Sequence, residues 1–210
     1  MWQRGARDRT VAAAQRLQSI KHTQREARRA LVERELVAAQ TQIDPDLFFD
    51  TLHGVEALYR SQPERAEALL DELIAFLRAA LPHRDEPHPT LAHELELADS
   101  FVRLHAMSTG EDLSLAVAVN GDLTGAAVTP GLLLPLLRGT LARCRAPVRL
   151  HLSARLTEPG LLDLTLASPT PTDEATFNRV SEALRRVHGA AAALTRTADG
   201  ICLSLPHAAR

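Results

Sequence analysis

The sequence predicts an α+β protein in which a helical hairpin precedes an α/β sandwich. Three observations carry this prediction. Two apolar stretches at helical spacing, 44–60 and 64–81, meet at the turn Ser61–Gln62–Pro63–Glu64. A proline-punctuated linker, PHRDEPHP at 82–89, closes the helical part. Beyond it, alternating segments such as LSLAVAV at 113–119 interleave with amphipathic helical patterns, as a sheet layered with helices requires.

Composition narrows the function classes. The chain has 210 residues, 45% of them hydrophobic but only 3% aromatic, with a net charge of −2. Its core must therefore be built from Leu, Ala and Val, and it offers few rings on which nucleobases could stack. Lys21 is the only lysine; the arginines are spread rather than gathered into a basic domain, so no nucleic-acid partner is expected. Cys144 and Cys202 are too few for a disulfide framework and suit a reducing compartment. His83, His88 and His93 lack a metal-ligand spacing, so no metal site is expected there. No apolar run approaches the ~20 residues that span a bilayer and no signal-peptide pattern opens the chain, which implies a cytoplasmic protein. It could equally be the cytosolic part of a membrane-anchored sensor with its membrane domain upstream.

Taken in order, residues 1–41 read as an N-terminal signalling or linker helix, with Leu17, Ile20, Ala27 and Leu31 on one stripe and arginines over much of the rest. Residues 42–82 form the hairpin. Asp44 is a good N-cap with Pro45 at the first helical position, and Leu52, Val55, Leu58 and Tyr59 mark one apolar face. Leu69, Leu70, Leu73, Ile74, Leu77 and Leu81 mark the second helix. A hairpin this apolar cannot cover itself, so two copies are expected to pair as a four-helix bundle. After the linker at 83–90, residues 91–210 make the sandwich. Helices are expected over 91–107, 130–143 and 174–187, the last ended by Gly189. Strands are expected over 113–119, 148–156 and 161–167, the latter two joined by Glu158–Pro159–Gly160. A final hairpin turns at Ala198–Asp199, giving a mostly antiparallel sheet with helices on one face.

Local motifs narrow the reading. QIDPDLFFDTLH at 42–53 resembles the Q-I-N-P-H-F-L-F-N-T-L-N signature of LytS/YpdA-type sensor histidine kinases. LIAFLRAAL at 73–81 is similar to that family's L-x-x-L-L-R-Y-x-L, and LAHELELADSFVRLHAM at 91–107 to its L-x-x-E-L-x-x-V-x-x-Y-L-x-I-E. VTPGLLLPLLRGTLARC at 128–144 aligns without a gap with V-P-P-L-L-L-Q-P-L-V-E-N-A-I-K-H-G, and Gly200–Pro206 fits the closing G-x-x-x-x-x-P. The resemblance spans 36–206 and implies a dimeric hairpin followed by a Bergerat, or HATPase-like, sandwich.

The departures fall on the chemistry. In the family the histidine of P-H-F accepts the phosphoryl group, as a neutral imidazole can near pH 7; here Asp46 stands there. The family's E-N pair, whose asparagine binds the Mg²⁺ of ATP, is Arg138–Gly139, a cation beside a residue with no ligand atom. The aspartate of D-x-G-x-G, which accepts the adenine amino group, corresponds to Ser168, followed by Pro169 and Pro171 where glycines would turn. Asp173 lies several residues too late, and Thr176–Phe177 replace the later glycine-rich lid.

Acceptor, metal ligand and adenine anchor thus depart together, which implies a catalytically silent histidine kinase-like protein of two-component signalling. It would need no cofactor and would act by homodimerisation and by binding a response regulator or another kinase. Leu47, Phe48 and Tyr59 are the candidate partner contacts. The alternatives are an active kinase with displaced site residues, using ATP and Mg²⁺, and an ATP-independent phosphotransferase that employs His53.

Overall fold

The computed structural model describes residues 45–81, 90–145, 147–157 and 160–207. The helix expected over 1–41, the Asp44 cap and most of the 83–90 linker lie outside the described residues.

The hairpin consists of α1 (Pro45–Tyr59) and α2 (Pro63–Ala80). Pro63 opens α2, where its missing N–H costs nothing, and Glu64 and Arg78 each sit at the end whose dipole favours their charge. Leu69, Leu73, Phe76, Ala79 and Ala80 are buried because α2 packs between α1 and α3 (Leu91–Thr109). Phe76 meets Phe101 of α3 with ring centroids 6.2 Å apart, and Glu72 pairs with Arg103 at 3.1 Å. Thr90 caps α3 by accepting the His93 N–H at 3.4 Å, and Gly110 ends it in the left-handed conformation.

Then follow β1 (Leu113–Val119), α4 (Leu133–Leu141), β2 (Val148–Thr157), β3 (Leu161–Ala167), α5 (Glu174–His188), a 3₁₀ turn (Gly189–Ala191), β4 (Ala193–Thr197) and β5 (Gly200–Pro206). The sheet order is β1-β2-β3-β5-β4, with β1 parallel to β2 and every other pair antiparallel. This mixed sheet beneath helices is compatible with the expected HATPase-like sandwich.

Period-two alternation decides which side is covered. Val148, Leu150, Leu152 and Ala154 of β2, Leu162, Leu164 and Leu166 of β3, and Ile201, Leu203 and Leu205 of β5 are all buried on the helix side. The opposite face is polar. There Asp163 is buried by its own partners: Ser204 Oγ donates to Oδ1 at 2.6 Å and Thr157 Oγ1 to Oδ2 at 3.2 Å.

One expected helix is shorter than its pattern. The 130–143 segment is helical only over Leu133–Leu141. Gly131 adopts a φ of 72°, a left-handed conformation that α-helix excludes, so Pro130 opens a turn instead of the helix.

Candidate functional site

Two regions bear the positions singled out in the sequence: the exposed side of α1, and the contact where α4 meets the segment after β3.

On α1, Thr51 is buried and its hydroxyl donates to the Leu47 carbonyl at 2.7 Å. Leu47 and Phe48 are half-buried and packed on the core, whereas Tyr59 is 68% exposed. The three candidate contacts are therefore not equally available. Phe49, not singled out, is exposed and stands edge-on to Phe48 at 5.6 Å. Asp46 and His53 are both exposed and lie about two turns apart on one helix face. Leu70 and Ile74 add exposed apolar side chains along α2, and Leu81 another just beyond its end.

The second region starts from how α4 is held. Leu132 precedes it without a capping side chain. Glu94 of α3 replaces the cap: its carboxylate accepts the N–H of Gly131 at 2.7 Å and of Leu133 at 3.4 Å. Burial pushes the Glu94 pKa above its ordinary value, while these backbone donors pull it down. The carboxyl satisfies the orphan donors of a helix start lodged in the core.

α4 then presents Arg138, Gly139 and Thr140. The Arg138 guanidinium lies 5.5 Å from the Phe101 ring centroid, a cation over a π face. Beside it, His105 stacks on Phe101 at 5.9 Å. Burial lowers the His105 pKa, and the Arg138 charge lowers it further against the opposing pull of Glu111. Gly139 is buried against the chain that follows β3. A Cβ there would stand 2.6 Å from Asp173 Oδ2, 2.9 Å from Thr172 Cγ2 and 3.0 Å from Thr176 Cβ. Thr140 and the buried Thr172 share a hydrogen bond of 2.5 Å.

The segment Ser168–Asp173 is built to lie there. Ser168 Oγ donates to the Thr170 carbonyl at 2.9 Å and accepts the Thr170 N–H at 3.2 Å, a local turn that occupies its hydroxyl. Asp173 caps α5 by accepting the Thr176 N–H at 2.8 Å; a hydrogen bond from the Thr176 side chain, and then this backbone N–H, hold its pKa below the usual aspartate value. Arg196 of β4 fastens the segment from the far side. It donates to the Thr172 carbonyl at 3.2 Å, pairs with Glu174 at 2.9 Å and covers the Phe177 ring at 4.4 Å.

The structure thus brings Gly139 against the chain just after Ser168 and sets Arg138 on Phe101. Asp46 and His53 share α1. Sequence reasoning missed Glu94, Thr172 and Arg196. Glu94 had two available signals: it stands at the glutamate of the quoted L-x-x-E-L pattern, and α4 begins without a residue able to cap it. Thr172 and Arg196 become functional only through contacts between distant elements.

With the docked helical hairpin and the mixed sheet under helices described, the chain proves similar to the histidine kinases: the Histidine kinase family model matches residues 34–113. Among its relatives are sensor proteins of the LytS type. The sensor protein LytS of Oceanobacillus iheyensis is 27% identical over 114 residues, 54% of this chain and 20% of that protein. LytS of Staphylococcus saprophyticus is 28% identical over 108 residues, 51% of this chain and 18% of the relative. The sensor histidine kinase/phosphatase LytS of Staphylococcus aureus is 28% identical over 103 residues, 49% of this chain and 18% of the relative. The matched segment spans at most a fifth of the length of these curated relatives. Among the described residues no helix is long and apolar enough to cross a membrane.

Proposed function

We propose that this chain is a histidine kinase-type signalling protein that has given up ATP-dependent autophosphorylation and acts by dimerisation and partner binding. The observation that carries this reading is the surroundings of Gly139. Where the family resemblance implies an asparagine ligand for Mg²⁺, there is no ligand atom, and the volume a side chain would need is taken by Asp173, Thr172 and Thr176. The neighbouring Arg138 puts a cation where the resemblance implies a carboxylate. Ser168, in the adenine-anchoring position, spends its hydroxyl on Thr170. These residues do not fit Mg²⁺-ATP, so no phosphotransfer step is derived through it.

The hairpin supports the dimer and the partner surface. Leu70 and Ile74 on α2 and Leu81 just beyond it, with Phe49 on α1, leave apolar side chains in water at spacings that a four-helix bundle between two copies would bury. Partner recognition, by a response regulator or another kinase, falls to the exposed part of α1 around Asp46 and Tyr59.

Calorimetric titration of the chain with a non-hydrolysable ATP analogue and Mg²⁺ tests the loss of the nucleotide site. No heat of binding is expected, and micromolar affinity would overturn the proposal. Sedimentation of the wild type against Ile74→Glu tests the bundle, with the variant expected to lose one step of self-association relative to the wild type. The exposure of His53 favours one second reading, phosphate relay without ATP. Incubation with a phosphorylated response regulator separates it, since only that reading requires acid-labile, base-stable label on this chain.

A further inference from the structure

The two ends of the sheet differ in a way the signalling role does not use. β4 ends one side; it is five residues long and carries Arg196, which is engaged on Thr172 and Glu174. β1 ends the other side with LSLAVAV, seven residues without a charge, a proline or a glycine. Edge strands normally carry one of these features, because an edge of free N–H and C=O groups is a template for another strand.

The backbone of β1 shows which groups are free. Val148 N–H donates to the Asp112 carbonyl and Asn120 N–H to the Ala154 carbonyl, both at 2.9 Å, so even-numbered residues turn their backbone polar groups toward β2. Alternate residues of a strand point theirs the opposite way. Leu115, Val117 and Val119 therefore direct three N–H and three C=O groups off the edge of the sheet, where no strand follows among the described residues. The strand is not sealed by side chains either: Val117 is 43% exposed, and Ala116 and Ala118 are exposed.

We propose that the β1 edge is an interaction surface for a second copy of this chain, joined by antiparallel pairing of β1 with its own mate. The occupant follows from register and charge. An antiparallel pair centred on Ala116 places Leu115 opposite Val117 of the mate and Leu113 opposite Val119, so that the outward-pointing groups meet in hydrogen-bonded pairs. In that register Asp112 stands opposite Asn120 and Glu111 opposite Gly121, so neither acid faces another acid. Parallel pairing in register would set Asp112 against Asp112. The small Ala116 and Ala118 let two sheets continue as one without a side-chain clash on the outer face. This surface is separate from the hairpin and does not rest on the bundle proposed above.

The register makes the proposal testable by cross-linking the full chain. Ala116 would face its own mate as a non-hydrogen-bonded pair, with Cα atoms about 4.5 Å apart, within the range that a disulfide spans. Under mild oxidation, Ala116→Cys is expected to give several-fold more disulfide-linked dimer than the parent chain with its native Cys144 and Cys202. Ala118→Cys, which would face residue 114 of the mate, is expected to stay at the parent level. Adding Val117→Lys to Ala116→Cys should abolish the product, and adding Ile74→Glu on the hairpin should leave it. No product above the parent from Ala116→Cys, equal yields at 116 and 118, or loss of the product with Ile74→Glu would each overturn the proposal.

Discussion

The carboxylate of Glu94 on α3 holds the N–H of Gly131 at 2.7 Å, so that one helix supplies the missing cap of another. A charge-bearing group is thereby placed in the core at 2% exposure. Glu94→Gln keeps the shape but turns one acceptor oxygen into a donor, and a loss of about 1–3 kcal/mol is expected in urea unfolding at neutral pH.

The same residue sets a pH dependence. Because burial raises its pKa in the folded state, the folded chain holds this proton more tightly than the unfolded chain does. Its contribution to stability is complete below the ordinary glutamate value and is lost as pH rises through the raised one. The difference between wild-type and Glu94→Gln unfolding free energies, followed from pH 4 upward, should change with that sign and then level off.

His105 acts in the opposite direction. Its pKa is lowered first by burial and then by Arg138, so the folded chain resists protonation that the unfolded chain accepts. Stability from this residue is present above the ordinary histidine value and declines as pH falls from there toward the lower folded value. His105→Phe retains a ring against Phe101 and should flatten the fall in Tm between pH 7.5 and 5. An undiminished fall would remove His105 as its source.

Gly139→Asn restores the family's metal ligand in name only. Its Cβ meets Asp173, Thr172 and Thr176 within 3.0 Å, so the expected result is a destabilisation of about 1–3 kcal/mol without Mg²⁺-dependent nucleotide binding. Gly139→Ala should lose a comparable amount, which shows that space rather than polarity is responsible. Thermal unfolding and calorimetry together read both outcomes.

Arg196→Ala removes a backbone bond, an exposed ion pair and a ring contact from one strap. The cation over Phe177 and the bond to Thr172 dominate, and together they contribute about 1–2 kcal/mol. Hydrogen exchange should rise at Thr172 and in the first turn of α5 and remain unchanged in β2 and β3.

Legibility in the sequence followed the range of the forces involved. The strands at 113–119 and 161–167 were readable to their ends, because alternation marks a half-covered strand and turn residues bound it. α3 ran two residues past its expected end, to Thr109, since Gly110 stops it and the apolar pattern does not. α4 was over-read because Leu132, Leu133 and Leu134 continue a helical pattern that the left-handed Gly131 interrupts. Asp46, Arg138, Gly139 and Ser168 could be found by motif position alone. What surrounds them could not: Glu94 reaches Gly131 across 37 residues, and Arg196 reaches Phe177 from another strand. Burial left few residues to choose among, but only the folded chain says which partner each takes.

The ring of Phe101 meets both Phe76 of the hairpin and Arg138 of α4. It works as a gear tooth between two parts of the molecule. Turning α2 by a single residue step, roughly 100°, would carry Phe76 off that ring. A change in the rotational setting of the hairpin would therefore alter the surroundings of the Arg138 cation in the α/β sandwich.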